Sequence, residues 1–439
     1  MENLIKKILR NSNYSLSDED INRLSNLHYE NIKSGNYDFT KFNKKVLTQR
    51  GQTGKKYRTV YSFDKGTTEN ILCEYFKIKL DNAFDIRYAD RKKIMKILFN
   101  TLPVIKDLND FVIVRFDFKS FFDSVSTNLI FDEYIQMSAM KRSDKDYFQE
   151  FCNVFSYCYA GLQTSNAMTE IVSSNFDKVF RAKLNEYGIV FFERYVDDVL
   201  VILTSYVSEA DFLKLLEDSI FSVFKKCKVK INPRKFNYIS RRTLPQTIMF
   251  DFLGYNFTIN KSNRNTPEFE FGITPSKIKK YRSKIRQTLI EYKKDGNLEL
   301  LRHRMKVFSC RVVYSIVLHD DYCTWITKGL TDNYGELRFH LKNLDAMTVS
   351  FLKNAYYNEM RSLGVPIPYF MAKGPRIHDE SIYNLYSNLK RNRSLVFDER
   401  VGIKIIDLAA EVRKVSPHYY CGEKTYGQIA KAYFDVLNI

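Results

Sequence analysis

Hydrophobic and polar positions near the N-terminus follow first a helical and then a strand-like spacing. Residues 1–50 are polar overall, with Ile21, Leu24 and Leu27 placed on one helical face. Residues 51–63, GQTGKKYRTVYSF, combine a glycine-bounded turn with β-branched and aromatic residues. The pattern therefore predicts an N-terminal helical segment followed by a β-hairpin arm.

Two apolar segments farther along the chain predict buried strands that end in acidic residues. FVIVRFDF, residues 111–118, is rich in β-branched and aromatic side chains and carries Asp117 near its end. FFERYVDDVLVIL, residues 191–203, has two apolar arms, which predicts a β-hairpin with Asp197 and Asp198 at its turn. Helical spacing covers much of the surrounding sequence, at 70–103, 126–185 and 209–226.

Helical spacing continues from about residue 274 to the end of the chain, which is predicted to be mostly helix. Thr274 and Pro275 are the residue types of a helix start, with threonine as cap and proline at the first position. The helix that follows carries Lys277, Lys280 and Lys284, whose spacing of three and four residues places them on one face. Such a face suits the phosphate backbone of a nucleic acid, and it is also typical of an ordinary solvated helix.

Charge and composition narrow the classes of partner. The 439 residues include 69 Lys and Arg against 51 Asp and Glu, and the net charge of +18 favours a polyanionic partner over solubility alone. No apolar run approaches the length of a membrane span, so no membrane partner is expected. The seven cysteines form no CxxC pair and their number is odd, which argues against zinc and a disulfide framework and favours a reducing, cytoplasmic location.

The aspartates at the strand ends are the candidate chemistry. An ionised carboxylate at the end of an apolar strand, such as Asp117, is costly unless it binds a cation or a partner. Asp197 and Asp198 concentrate negative charge at one turn, and carboxylates shared by two Mg²⁺ ions are what an in-line phosphoryl displacement requires. Taken singly, an Asp-Asp pair is more often a solvated turn, and an aspartate after a strand is more often a helix cap.

Six segments of the chain resemble motifs of reverse transcriptases, in the order in which the family has them. They are GKKYRTVY (54–61), similar to the fingers hairpin; RFDFKSFFDSV (115–125), similar to the first palm motif; GLQTSNA (161–167), at the place of the motif beneath the templating base; YVDD (195–198), similar to the catalytic box; INPRK (231–235), similar to the motif whose lysine approaches the pyrophosphate; and FLGY (252–255), similar to the primer-grip hairpin. Together they cover about residues 50–260.

The resemblance implies the α+β fold of a right-hand polymerase. Its fingers and palm combine an antiparallel sheet with helices, and a helical thumb and a helical C-terminal extension follow them. The implied segments are an N-terminal helical segment at 1–50, fingers and palm at 51–270, the thumb at 271–345 and the extension at 346–439. In this scheme Lys277, Lys280 and Lys284 on the thumb and Gly254 in the primer-grip hairpin contact nucleic acid.

The same resemblance implies catalytic roles. Asp117, Asp197 and Asp198 are implied as the ligands of two Mg²⁺ ions, and Lys235 as the general acid for pyrophosphate departure. Phe122, five residues after Asp117, is implied to lie under the sugar and to exclude a 2′-hydroxyl, which favours deoxynucleotides. Two of these side chains also have an ordinary interpretation, Phe122 as a core residue and Lys235 as a solvated strand end.

Nucleotide binding is implied for residues of the hairpin and of the GLQTSNA motif. Lys56 and Arg58 are implied to contact the triphosphate, with Lys55 as an alternative to either. Gln163 is implied to contact the nucleotide. Gln163 and Ser165 stand where the family has proline and glycine, a departure that affects template positioning more than the carboxylate chemistry.

Further motifs bear on the kind of reverse transcriptase. The chain lacks the metal-binding and nuclease motifs of group II intron enzymes, the valine-threonine-glycine tripeptide of retron enzymes and the acidic pattern of ribonuclease H. YADRKKIMKILFNTLP, residues 88–103, and the long helical extension resemble the bacterial abortive-infection and defence-associated reverse transcriptases. That resemblance implies antiphage defence, dNTP substrates, an RNA template such as a dedicated non-coding RNA, a DNA product, and a partner defence protein or a homo-oligomer.

The sequence is also compatible with functions that differ from templated synthesis. The same site could support template-independent synthesis or synthesis primed by a tyrosine of the chain. The candidate primers are the four tyrosines near the C-terminus, Tyr419, Tyr420, Tyr426 and Tyr433. A catalytically idle protein that only binds nucleic acid is a further possibility. So is a structural defence component whose partner carries out the synthesis.

Overall fold

The computed structural model describes residues 1–12, 16–51, 54–225, 227–261, 267–317, 323–371 and 382–438. These residues fall into two units, Met1–Leu244 and Pro245–Ile439. Both units combine helices with mainly antiparallel sheets, so the predicted α+β class is confirmed. The four segments implied by the resemblance stay predictions.

The first unit begins with two helices and a long hairpin, namely α1 (Glu2–Ser12), α2 (Asp18–Lys33), β1 (Asn43–Gly51) and β2 (Gly54–Ser62). The Ser17 hydroxyl caps α2 by accepting a hydrogen bond from the Asp20 amide at 3.1 Å. Strands β1 and β2 pair antiparallel over their whole length. Strand β1 lies in the segment predicted to be helical, so that prediction is wrong for residues 43–50. Pairing with β2 stabilises β1, and such a contact between strands is not visible in local spacing.

The central sheet of the first unit positions the predicted acidic residues. Its strands are β3 (Val112–Asp117), β4 (Ile189–Tyr195), β5 (Asp198–Leu203) and β6 (Asn237–Ser240), in the spatial order β4-β5-β3-β6. All neighbouring strands are antiparallel, and every residue of β3 is buried. The predicted hairpin around Asp197 and Asp198 is confirmed as β4 and β5, and the predicted buried strand is β3.

Further α-helices in the described residues of the first unit are α3 (Thr68–Ala83), α4 (Arg91–Ile105), α5 (Thr127–Ile130), α6 (Arg142–Val154), α7 (Gln163–Leu184) and α8 (Glu209–Phe224). A phenylalanine cluster joins α7 and α8 to the sheet. The Phe118 ring lies 5.4 Å from Phe176 and 6.0 Å from Phe224, and the Phe116 ring lies 6.1 Å from Phe180, measured between ring centroids. This aromatic core packs against the end of β3.

The second unit opens with the antiparallel sheet β7-β8-β9, whose strands are Thr247–Phe252, Tyr255–Lys261 and Pro267–Ile273. Helix α9 (Pro275–Asp295) begins at the predicted proline, with Thr274 at the N-cap position. The remaining helices are α10 (Leu298–Ser309), α11 (Leu330–Asn333), α12 (Ala346–Leu363), α13 (Leu385–Arg391), α14 (Ile405–Val415) and α15 (Tyr426–Leu437). No helix in the described ranges is both long enough and apolar enough to cross a bilayer.

The second unit also contains strands that the sequence did not predict. They are β10 (Arg311–Val317), β11 (Cys323–Lys328) and β12 (Ser394–Phe397), in the order β11-β10-β12. Strand β10 is rich in β-branched residues, and its parallel partner β12 comes from far along the chain. Val312 of β10 and Phe397 of β12 pack in one hydrophobic core with Leu408 and Tyr433. The prediction of a mostly helical C-terminal region was therefore incomplete, because it did not include these three strands.

Candidate active site

Sheet register brings the three predicted aspartates together. Asp117, the last residue of β3, lies opposite Asp198, the first residue of β5. Asp197 precedes Asp198 in the turn that joins β4 to β5. One carboxylate oxygen from each residue can be chosen so that all three oxygens lie within 4.8 Å of one another. The site is therefore built by strand pairing between segments that are about 80 residues apart in sequence.

The turn that carries Asp197 has an unfavourable backbone conformation. Val196 has a φ of 61°, in the left-handed region that β-branched residues rarely adopt. Such a conformation costs of order 1–3 kcal/mol and persists only where the surroundings hold it. Two hydrogen bonds hold this turn: the Val196 carbonyl accepts from Arg194 Nη1 at 3.1 Å, and the Asp197 carbonyl accepts from the Phe118 amide at 3.2 Å.

Asp117 is buried and fully engaged by the segment that follows α8. Its side chain is only 3% exposed. Oδ1 accepts from Asn232 Nδ2 at 3.1 Å, and Oδ2 forms an ion pair with Lys235 Nζ. The Asn232 amide also donates to the Asp117 carbonyl at 2.8 Å. The structure thus places the predicted Lys235 directly on a predicted metal ligand.

Asp198 has a cationic partner that sequence analysis missed. Oδ1 of Asp198 accepts from Arg115 Nη2 at 2.9 Å, and Arg115 is only 6% exposed. Arg115 Nη1 also reaches the Lys235 carbonyl at 3.4 Å. Arg115 lies two residues before Asp117 on β3, so both side chains project from the same face of the sheet. The sequence signal was an arginine inside an apolar strand, because a buried charge requires a partner.

The electrostatics of the aspartates suit a divalent cation. Burial, together with the negative charges of Asp117 and Asp198, raises the pKa of Asp197 to about 6, and Lys235 only partly opposes this. Three carboxylates in one place form an all-oxygen donor set whose members repel one another, and a hard divalent metal ion relieves that repulsion. Asp117, Asp197 and Asp198 could therefore hold such a metal, with Lys235 as a counter-charge in its absence. A bound divalent ion would supply Lewis-acid stabilisation for phosphoryl transfer.

Of the hairpin residues predicted to contact the triphosphate, only Arg58 has a described side chain. The side chain of Lys56 lies outside the described part of the chain, as does that of Lys55. Arg58 is exposed on β2. Burial raises the pKa of Asp123, and the nearby guanidinium of Arg58 opposes that rise. Arg58 therefore lies close enough to Asp123 for its charge to act on that carboxylate.

The GLQTSNA motif contacts strand β2 of the hairpin through Gly161. A Cβ on Gly161 would lie 2.5 Å from the Tyr61 carbonyl of β2, so only glycine fits this close approach. The Tyr61 amide donates to the Ala160 carbonyl at 2.8 Å. Gln163 is the first residue of α7, and its Oε1 is buried without a hydrogen-bond partner among the described residues. Ser165 is used internally, because its hydroxyl donates to the Tyr159 carbonyl at 2.6 Å.

Phe122 lies on a short 3-10 turn, Phe121–Asp123, which follows Asp117 closely in sequence. Its ring is partly buried, with its centroid 6.2 Å from that of Phe121. The turn follows Ser120, which has a φ of 49°. Phe122 packs against the edge of the hydrophobic core, whereas Phe121 is buried within it. The partly exposed ring of Phe122 is compatible with the predicted contact to a sugar.

The residues of the second unit that are predicted to contact nucleic acid lie at two neighbouring places, on helix α9 and in the turn between β7 and β8. Lys277, Lys280 and Lys284 are all exposed on α9, and they form no ion pair among the described residues. Gly254 lies in the two-residue turn between β7 and β8, with a φ of 86°. A side chain at Gly254 would contact Lys277 Cε at 3.5 Å, so Gly254 and Lys277 are neighbours.

Two arginines of α9 serve a different purpose. Arg282 Nε and Arg286 Nη1 bind the buried Glu359 carboxylate on α12, at 2.9 and 3.2 Å. These arginines lie on the opposite side of the helix from the three lysines, as their positions in the helical repeat require. The two arginines therefore stabilise the packing of α9 against α12, while the three lysines remain exposed to solvent.

Comparisons with known proteins bear on the first unit and part of the second. Residues 53–257 match the family model "Reverse transcriptase (RNA-dependent DNA polymerase)". No curated protein matches the chain significantly in sequence. Among solved structures the chain is similar to apo telomerase from Candida tropicalis, truncated from the C-terminal domain, at 15% identity and a TM-score of 0.35, over 52% of this chain and 54% of that chain.

A second similar structure is telomerase from Candida albicans in complex with a TWJ fragment of telomeric RNA. The identity is 11% and the TM-score 0.39, over 93% of this chain and 68% of that chain. The chain spans about half the length of the first of these two telomerases. The family match, in contrast, contains all three aspartates, Lys235 and the hairpin residue Arg58. Residues 53–257 therefore constitute a reverse-transcriptase domain, the nucleotidyltransferase domain of RNA-directed DNA polymerases.

Proposed function

We propose that the whole chain is an RNA-directed DNA polymerase that adds deoxynucleotides by phosphoryl transfer with two Mg²⁺ ions. The observation that carries this proposal is the carboxylate cluster of Asp117, Asp197 and Asp198, held by strand register inside the reverse-transcriptase domain. Ligands made only of oxygen favour Mg²⁺ over softer metals. A non-catalytic descendant would have no chemical reason to keep such a repulsive cluster.

The neighbouring side chains then have defined roles. Lys235 is 40% exposed, so its ammonium group can leave Asp117 when a metal neutralises that carboxylate, and it can donate a proton to departing pyrophosphate. Arg58, whose charge acts on Asp123, neutralises the incoming triphosphate in this proposal. Gln163 has a buried oxygen without a hydrogen-bond partner among the described residues, and in this proposal it accepts a hydrogen bond from the nucleotide or the templating base.

The proposed setting is bacterial antiphage defence in the cytoplasm, with a dedicated non-coding RNA as template. The resemblance of residues 88–103 to defence-associated enzymes supports this setting. Most of that segment lies in α4, which is capped by Asp90, whose carboxylate accepts from the Lys92 amide at 2.8 Å. Sequencing the nucleic acids that co-purify from the host is expected to find one enriched RNA and its complementary DNA. Phage plating on hosts with the wild type or Asp197→Asn tests the defence role directly.

The activity itself is tested with the purified full chain, Mg²⁺ and a primed RNA template. We expect incorporation of dNTPs that stops when the RNA is omitted. Products formed without any template would instead support template-independent synthesis. Labelled DNA bound covalently to the chain would support protein priming, for which the buried Tyr433 is inaccessible while Tyr420 is 71% exposed. No incorporation under any of these conditions would contradict the polymerase proposal.

A prediction on sugar choice follows from the position of Phe122. Phe122→Ala removes the ring that is proposed to lie against the 2′ position, so ribonucleotide incorporation should rise relative to deoxynucleotide incorporation. The measurement is the ratio of kcat/KM for a matched dNTP and NTP pair. Phe121→Leu is the control, because that neighbouring ring is buried in the core. An unchanged ratio in Phe122→Ala would return Phe122 to a core role.

A further inference from the structure

A buried ion cluster lies directly behind the turn that carries Asp197. Arg194 of β4 is 6% exposed and is bound by two acidic residues of α7. Its Nε donates to both carboxylate oxygens of Asp177 at 3.0 Å, and Nη1 and Nη2 donate to Glu170 at 3.0 and 2.6 Å. Glu170 and Asp177 are seven residues apart, so they lie on one face of α7 two turns apart.

One further hydrogen bond of Arg194 leaves this cluster and reaches the turn. Nη1 donates to the Val196 carbonyl at 3.1 Å, and Val196 is the residue with a φ of 61°. A guanidinium is rigid and planar, so fixing Nε and Nη2 on two carboxylates also fixes the direction of Nη1. The acids of α7 therefore determine where the Val196 carbonyl can lie, and Asp197 is the next residue.

We propose that Arg194 is a positioning residue, which holds the strained Val196 turn and so places the Asp197 carboxylate for metal binding. This inference rests on the proposed function, because it assigns Arg194 a part in building the metal site. Arg194 does not contact substrate in this scheme. It acts through the backbone of the turn, with Glu170 and Asp177 as its anchors on α7.

Arg181 provides a matched comparison, because it has no hydrogen bond to the Val196 turn among the described contacts, and Arg181→Lys keeps the charge that acts on Asp177. It also links α7 to β4, since its Nη2 donates to the Phe192 carbonyl at 2.5 Å and its guanidinium lies 4.1 Å from the Phe192 ring centroid. Phe192 is two residues before Arg194 on the same strand, away from the turn. A substitution at Arg181 perturbs the same pair of elements without touching Val196.

The primary test compares Arg194→Lys with Arg181→Lys in the full chain. Lysine keeps the positive charge between Glu170 and Asp177, but a single ammonium cannot reproduce the fork that also holds Val196. Mn²⁺ binding to the protein without nucleic acid, followed by electron paramagnetic resonance, is expected to weaken by about 10- to 100-fold in Arg194→Lys. In the same variant kcat should fall with little change in KM for dNTP, and Arg181→Lys should bind Mn²⁺ like the wild type.

A second substitution tests whether the turn is the route of the effect. Val196→Gly removes the conformational penalty at a positive φ, because glycine adopts this region freely. In the Arg194→Lys background it should restore most of the lost Mn²⁺ affinity. Failure of this rescue, or equal losses of Mn²⁺ affinity in Arg194→Lys and Arg181→Lys, would overturn the proposal. So would wild-type Mn²⁺ affinity in Arg194→Lys.

Stability is controlled separately, by thermal unfolding in excess chelator. If Arg194→Lys does not fold, the neutral combination Glu170→Gln, Asp177→Asn and Arg194→Met replaces it, because exchanging a whole buried ion cluster is often tolerated. The same Mn²⁺ outcomes apply to that variant. Normal DNA synthesis by Arg194→Lys defeats only this inference, whereas a wild-type protein that synthesises no DNA defeats the proposed function and leaves the Mn²⁺ comparison valid.

Discussion

Asp197→Asn is expected to reduce deoxynucleotide incorporation by at least about 10³-fold while leaving the protein folded. Alignment of the reacting groups by a bound metal is worth several kcal/mol, and each 1.36 kcal/mol corresponds to about tenfold in rate. Asparagine keeps the shape of the side chain and removes the negative charge that a divalent ion requires. Single-turnover incorporation of one dNTP on a primed RNA template measures the effect.

The same substitution should stabilise the metal-free protein at neutral pH. The pKa of Asp197 is raised to about 6 from an ordinary value near 3.8, so folding disfavours the charged carboxylate. Its unfavourable contribution is present above about pH 6 and declines as the pH falls through 6 towards 3.8. Asp197→Asn should therefore raise the free energy of unfolding by on the order of 1–3 kcal/mol at pH 7.5, and by much less at pH 4.5.

Asp198→Asn should abolish synthesis as well but change stability in the opposite direction. Asp198 is an ion-pair partner of Arg115, whose side chain is only 7% exposed. Removing one member of a buried pair destabilises a protein because the remaining charge loses its compensation. The free energy of unfolding, measured with denaturant in the presence of chelator, should therefore be higher than that of the wild type in Asp197→Asn and lower in Asp198→Asn.

Asp218→Asn is the matched control for both variants, because it makes the same chemical change on the exposed face of α8 in the same unit. It should leave synthesis and stability unchanged. Near-normal incorporation by the double variant Asp197→Ala with Asp198→Ala would refute the polymerase function outright. Equal stability of Asp197→Asn and Asp198→Asn would contradict the electrostatic account of the site while leaving the metal chemistry intact.

The parts of this site that could be predicted are those encoded in short segments. β3 is a continuous apolar run, and β4 and β5 are two apolar arms around an acidic pair, so their strands and their acids were visible locally. Their mutual register, Asp117 opposite Asp198, is a long-range property. Only the order of the family motifs indicated that these segments would meet.

What could not be predicted depends on contacts between distant segments. Arg115 and Arg194 appeared only as charges within apolar strands, and their partners lie on β5 and α7. Strand β12 reaches β10 from more than 70 residues away, so no local window contains both. The sequence pattern of α9 indicates a uniformly basic helix. The structure shows that two of its arginines pair with Glu359 on α12, whereas the three lysines lie exposed on the opposite side of the helix.

That division makes the lysine face of α9 a separable test of nucleic-acid binding. Lys277→Gln, Lys280→Gln and Lys284→Gln together remove three exposed charges and leave the arginine contacts with Glu359 in place, so the helix should keep its packing. If the lysines bind backbone phosphates, affinity should fall by similar factors for two unrelated primer–template duplexes, because phosphate contacts carry no sequence information.

Salt dependence gives the larger and more specific signal. Each phosphate contact contributes about 0.7 to 0.9 to the slope of log affinity against log salt, so losing three contacts should flatten the slope by about 2 to 3. Between 50 and 200 mM salt the wild type should then lose about 20- to 40-fold more affinity than the variant. The control removes the same charge elsewhere in the second unit, with Lys390, Lys424 and Lys431 changed to Gln on exposed positions. An unchanged slope in the α9 variant, or an equal change in the control, would reduce this face to an ordinary solvated helix; the thumb assignment would then fail, and the carboxylate chemistry would be unaffected.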